Sequence, residues 1–146
     1  MQLLFQKLNP DAMLPTRATA YSAGADLYAC LEKPVIIHPN ETVMIPLGIA
    51  CQPTDLETVI LIYPRSGLAS KNGITLANAV GVVDSDYRGE WKVPLHNISQ
   101  QDFKIEHGMR IAQAVVMPVI FPEILETDNL DTTERGTEGF GSSGIK

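Results

Sequence analysis

Ten prolines and eleven glycines stand between short apolar runs along this 146-residue chain. Proline cannot donate to a helical or sheet ladder and glycine weakens both, so the segments between them become short elements joined by turns. The runs have strand character. Val35-Ile36-Ile37 precedes the turn-rich His38-Pro39-Asn40-Glu41, and Val43-Met44-Ile45 and Gly48-Ile49-Ala50 flank Pro46, which marks an edge or a bend. Val59-Ile60-Leu61-Ile62-Tyr63 is continuous enough for a strand buried on both faces. Trp91, Val93, Leu95 and Asn97 alternate with Lys92, Pro94 and His96, and Phe103-Lys104-Ile105-Glu106 alternates likewise. His107-Gly108 then turns into an apolar stretch from Arg110 to Met117. The pattern predicts an all-β sandwich or barrel. One short helix fits over residues 67–71, with Ser66 as its cap and Gly73 as its stop.

The length suits one domain, and a hydrophobic share of 45% is enough for a core without staples. A formal charge of −6 argues against non-specific attraction to nucleic acid or to anionic membranes. A polyanion bound here must be held by a few placed cations and a metal ion. Cys30 and Cys51 form no CxxC pair, and His38, His96 and His107 are scattered, so neither a disulfide frame nor structural zinc is expected. The apolar run at residues 114–122 falls short of the ~18 residues a membrane helix needs. The first residues lack a basic leader with a long apolar block, which predicts a cytoplasmic protein.

From Glu126 onward the composition changes: five acids, two cations and four glycines accompany only Leu130, Phe140 and Ile145 as large apolar residues. The expected organisation is therefore a β-rich body over residues 1–125 and a flexible arm over 126–146. Gly139-Phe140-Gly141-Ser142-Ser143-Gly144 matches GxGxxG, but a dinucleotide site needs a strand before it and a helix after it, and only two residues follow. A linker explains the arm most simply. Its serine and glycine N–H groups, Arg135 and Phe140 also suit a lid over a nucleotide.

Other stretches carry two readings each. In Gly81-Val82-Val83-Asp84-Ser85-Asp86-Tyr87-Arg88-Gly89 the two aspartates face one way on an extended strand, as a general base with a raised pKa would require; a solvated hairpin turn explains them more simply. Pro64-Arg65-Ser66-Gly67-Leu68-Ala69 joins an arginine, a hydroxyl and a helix start at a strand end, which serves equally as a cap and as an anion site. Arg110 and Gln113 interrupt an apolar strand, and Asp26 precedes another, both compatible with ordinary structural roles.

The order of these stretches is more specific than any one of them. Ala-Gly-x-Asp-Leu from Ala23, Pro-Arg-Ser-Gly-Leu-Ala from Pro64, Gly-Val-Val-Asp-Ser-Asp-Tyr-Arg-Gly from Gly81, Arg-Ile-Ala-Gln from Arg110 and Arg-Gly-Thr-Glu-Gly-Phe-Gly-Ser-Ser-Gly from Arg135 follow one another. This succession resembles the five-motif signature of the homotrimeric dUTPases. The resemblance implies a jelly-roll β fold with one short helix, three sites at the subunit interfaces of a trimer, and hydrolysis of dUTP to dUMP and pyrophosphate. It implies Asp84 as the base that activates water at the α-phosphorus. Asn78 and the hairpin backbone through Val83 would read uracil, and Tyr87 would lie under the deoxyribose and exclude a 2′-hydroxyl. Arg65, Ser66 and Gly67 would hold the α/β bridge, and Gln113 the α-phosphate. Arg135 would clamp the γ-phosphate with the backbones of Gly141, Ser142 and Ser143, and Phe140 would stack on uracil. Mg²⁺ would be held by the phosphates and water, with Asp26 near its water shell and Arg110 structural. The dCTP deaminases share the fold but would carry a longer basic motif after the serine, where this chain has Gly67-Leu68-Ala69-Ser70-Lys71. A catalytically silent nucleotide-binding trimer would break Asp84 or the arm, and both are intact.

Overall fold

Antiparallel pairing organises the whole body. The computed structural model describes residues 1–139. Among them the strands are β1 (Leu3–Lys7), β2 (Ala25–Tyr28), β3 (Val35–Ile37), β4 (Thr42–Pro46), β5 (Ile49–Pro53) and β6 (Thr58–Pro64), followed by the helix α1 (Ser66–Asn72). Then come β7 (Ile74–Leu76), β8 (Gly81–Val83), β9 (Lys92–Asn97), β10 (Phe103–Ile105) and β11 (Arg110–Pro118). They form open sheets in the orders β2-β11-β6-β8, β4-β9-β7, β1-β5 and β10-β3. Mostly β-strand with a single short helix, the body matches the sequence expectation. Pro46 ends β4, which is an edge strand, so its missing N–H breaks no central ladder.

The core lies between the sheets, where Leu27, Ile37, Ile45, Ile49, Ile60, Trp91, Val93, Leu95, Ile105 and Ile111 are almost fully enclosed. Alternation in β9 works as the pattern predicts: Val93, Leu95 and Asn97 point inward. Asn97 is buried because its bonds are complete. Its Nδ2 donates to the carbonyls of Ile37 and Gln101 at 2.9 and 2.7 Å, and its Oδ1 accepts from the N and Oγ of Ser99 at 2.9 and 2.7 Å. Phe5 meets Trp91 edge-on with ring centres 5.5 Å apart.

Two expectations need correction. β6 is not buried on both faces: Ile60 and Ile62 point into the core, while Val59 and Leu61 are half-buried and Tyr63 is exposed. The outer side of its sheet has no covering layer within the described residues. There Val115 lies opposite Leu61 and Met117 opposite Val59 on β11, with Val82 opposite Leu61 on β8. The second correction concerns the helix. Ser66 is its first residue, and the cap position falls on Arg65, extended at φ −90° and ψ 131°, with no side-chain cap bond. The side chain of Arg65 is bound elsewhere, so the helix starts on backbone bonding alone, with Ala69 N donating to Arg65 O at 3.0 Å. Gly73 stops it as expected, at φ +65°, where a side chain would be strained and would press on Ser99. Beyond β11, residues 120–138 are exposed throughout and contain neither strand nor helix.

Candidate active site

The connection from β7 into β8, and the turn that follows β8, carry the first group of residues. Asn78 lies in the β7–β8 connection with its amide nitrogen 3.2 Å from where a Cβ on Gly81 would stand, so the bare glycine lets the amide pack closely on the strand. After Val83 the chain turns, with Tyr87 N donating to Asp84 O at 3.1 Å. Arg88 closes the turn: its Nη1 donates to the carbonyls of Ser85 and Tyr87 at 2.8 and 3.0 Å. Ser85 Oγ donates to Leu56 O at 2.9 Å. Tyr87 OH donates to Glu90 O at 3.3 Å, and its ring fills the space that a Cβ on Gly89 would need. Val83, the exposed Asp84 carboxylate and Tyr87 share a cavity of about 400 Å³ with Glu90, Trp91 and Lys92, a size that suits a small ligand.

The second group gathers where β2, β6 and β11 meet. Arg65 Nε donates to Asp26 Oδ1 at 2.7 Å, and Arg110 Nη1 reaches Asp26 Oδ2 at 3.4 Å. Arg65 Nη1 also donates to Arg110 O at 3.3 Å. The Asp26 side chain is 14% exposed, so its charge is held between two guanidiniums rather than left open. Gln113 Nε2 donates to Pro64 O at 3.0 Å, and its Oε1 lies against Gly24, where any larger residue would displace it. Ser66 and Gly67 stand exposed at the start of α1, beside this cluster. One strand end thus offers a fixed arginine, a second arginine, an amide and an exposed hydroxyl, a set of donors for an anion.

The two groups do not meet within one chain. Val83 pairs with Ile60 on β6, whereas Arg65 follows the far end of that strand. Arg65 stands five positions beyond Ile60, about 16 Å along a strand. Arg135 is apart from both, in the exposed segment, with Nε donating to Glu138 O at 3.0 Å. Phe140, Gly141, Ser142 and Ser143 lie outside the described residues. Sequence reading missed the bonding of Ser85 and Arg88, and the tie of Arg65 to Asp26. The Tyr-Arg-Gly string was a usable signal for the turn, since a glycine beside an aromatic often marks a ring packed on backbone. The tie to Asp26 spans 39 residues and leaves no local trace.

Burial pushes the Cys51 thiol up to about 11, the nearby Arg88 charge opposing only weakly, and burial also raises Cys30. Both thiols are enclosed and protonated at neutral pH, so neither is a nucleophile.

An open β-rich body that offers an acid-bearing turn on one strand and an arginine cluster at the far end of its neighbour has the parts of a nucleotide-binding hydrolase. The dUTPase family model matches residues 11–144, and the chain belongs to the dUTPase family of nucleotide hydrolases. The chain is 50% identical to the deoxyuridine 5′-triphosphate nucleotidohydrolase of Treponema denticola, over 97% of this chain and 98% of that one. It is 45% identical to the enzyme of the same name from an Enterobacter species, over 100% and 96%. In three dimensions it is similar to the dUTPase of Staphylococcus bacteriophage 80alpha solved with dUpNHpp, at a TM-score of 0.88 and 26% identity, covering 99% of each chain. Structural neighbours of this kind agree with the expected jelly-roll β fold.

Proposed function

We propose that this protein hydrolyses dUTP to dUMP and pyrophosphate in the cytoplasm, limiting uracil incorporation into DNA and supplying dUMP for dTMP synthesis. The observation that carries the reading is the exposed carboxylate of Asp84, presented by a turn locked at both ends beside the ring of Tyr87. Asp84 takes a proton from a water molecule as the water oxygen attacks the α-phosphorus. The bond from that phosphorus to the α/β-bridging oxygen breaks, and pyrophosphate leaves with the electron pair. Asn78 and the backbone through Val83 read the uracil edge; an amide matched to uracil leaves unpaired groups against cytosine. Arg65, Ser66, Gly67 and Gln113 receive the α- and β-phosphates. Arg135 with Gly141 and Ser142 closes on the γ-phosphate, and Phe140 covers the base.

The family is generally dependent on a divalent metal, and Mg²⁺ is the ion we propose. The carboxylates of Asp84 and Asp86 are exposed hard-oxygen groups near the nucleotide, compatible with an ion that keeps several waters and binds chiefly through phosphates. Bound there, Mg²⁺ would supply positive charge to the triphosphate. Asp26 is engaged by Arg65 and Arg110, so its part is to fix those cations, and any contact with the ion's water comes second.

A homotrimer completes the site. The register of β8 on β6 supports this, because Val83 pairs with Ile60, about 16 Å along β6 from Arg65, and Asp84 follows Val83 on the side away from Arg65. The apolar outer face of the central sheet, with Leu61, Val115 and Met117, supports it too, since such a surface marks an interface. The test is pyrophosphate release from dUTP, dCTP, dTTP and UTP by the parent and by Asp84→Asn. The reading expects turnover of dUTP alone, and in the variant retained binding with kcat lower by about a thousandfold or more. A deaminase would act on dCTP, and a silent binder on none. Near-parent kcat in Asp84→Asn would remove Asp84 from the base's role.

A further inference from the structure

The turn that presents Asp84 is tied to a distant part of the chain. The half-buried Ser85 donates its hydroxyl to the carbonyl of Leu56 at 2.9 Å, across 29 residues. Leu56 belongs to the segment between β5 and β6, and that segment is itself fixed at several points. Gln2 N donates to Thr54 Oγ1 at 2.8 Å, and Thr54 N donates back to Gln2 O at 2.9 Å. Within it, Glu57 N donates to Asp55 Oδ1 at 2.9 Å and Thr58 Oγ1 to Asp55 O at 2.7 Å. The next carbonyl, Glu57 O, accepts from Val119 N at 3.0 Å, just where the chain leaves β11 for the exposed C-terminal segment. Leu56, Asp84, Ser85 and Phe121 face one hollow.

From this geometry we propose that Ser85 is a positioning residue for Asp84, anchoring its turn on residues 54–57, the same segment that holds the root of the C-terminal arm. The inference rests on the reading of Asp84 as the base. A general base must hold its distance and angle to the attacking water, and small displacements are costly because the reaction depends on alignment. Arg88 stiffens the turn from within by gathering its carbonyls, but this does not fix the turn against the body. The Ser85 hydroxyl does, because the residues flanking Leu56 are themselves held, Thr54 by Gln2, and Glu57 and Thr58 by Asp55. A serine that merely adds a surface hydrogen bond would change melting temperature slightly and leave chemistry alone.

The experiment measures kcat and KM for dUTP in the full chain carrying Ser85→Ala, Ser85→Thr or Asp84→Asn. The expected result is a kcat lower by about tenfold in Ser85→Ala with KM within about twofold, because alignment is lost but the binding groups are untouched. Ser85→Thr keeps the hydroxyl and should return kcat to within about threefold of the parent. Parent kcat in Ser85→Ala beside an inactive Asp84→Asn sinks the tether alone. A loss in Ser85→Ala that Ser85→Thr does not restore, or one that appears in KM and not kcat, sinks it as well. Near-parent turnover in Asp84→Asn takes down the base reading and the tether with it.

Discussion

Tyr87 makes the tightest demand on shape in the turn after β8. Tyr87 is 47% exposed, yet its ring is pinned between its own bond to Glu90 O and the bare backbone of Gly89. A ring so held is a wall, and the proposed role is to exclude a 2′-hydroxyl. Tyr87→Ala should therefore raise kcat/KM for UTP relative to dUTP by about tenfold or more, since a steric exclusion of this kind is worth a few kcal/mol. An unchanged ratio would show that the discrimination lies elsewhere. Residues whose partners are close in sequence were readable: Asp84, Tyr87 and Gly89 sit in one turn, and their string already suggested it. Asp26 was not, because the two arginines that define its chemistry come from β11 and from the start of α1, and nothing near Asp26 in the chain announces them.

At the scale of elements, hydrophobic alternation sufficed for β9 and β10, whose inward and outward faces are fixed by a period of two. It failed for β6, where a continuous apolar run conceals which side another layer covers. The helix start was misread by one residue because serine's usefulness as a cap is a local rule, and the bond from Arg65 to Asp26 overrides it. One long-range tie joins two elements with a consequence for pH. His38 follows β3, Asp102 precedes β10, and His38 Nδ1 lies 2.7 Å from Asp102 Oδ1. The hydrogen bond and charge of Asp102 raise the histidine's pKa in the folded state. The pair's contribution is then complete below the ordinary value of 6.5 and is lost as pH rises through the raised one. Both partners are exposed, so the effect is small. Asp102→Asn should lower the melting temperature at about pH 5.5 and leave it unchanged at about pH 8.5; an equal shift at both would remove the histidine from the account. The C-terminal segment predicts the opposite division between stability and activity. Its residues 120–138 are exposed, so removing residues 135–146 should leave the melting temperature unchanged. Loss of the Arg135 charge and of Phe140 should lower kcat by about a hundredfold, each contact being worth roughly 1.5–3 kcal/mol. Activity within about twofold of the full chain would make the arm a linker.

For the whole molecule, the body was legible as β-rich from punctuation and alternation, but the distance between Asp84 and Arg65 along the sheet was not. A sequence lists the acid and the arginine as two motifs in order; only the register of β8 and β11 on β6 shows that one strand holds them at opposite ends. The division of labour along β6 has a consequence for mixtures. Asp84→Asn chains lack the proposed base, and Arg65→Ala chains lack a proposed phosphate clamp, so each alone should be inactive. Unfolded together and refolded as mixed assemblies, the two would place an intact Asp84 from one chain beside an intact Arg65 from another. With equal amounts and random assembly, about a quarter of the sites would recover both groups, and activity would return from two dead populations. Silence at every mixing ratio would mean that each chain closes a site of its own.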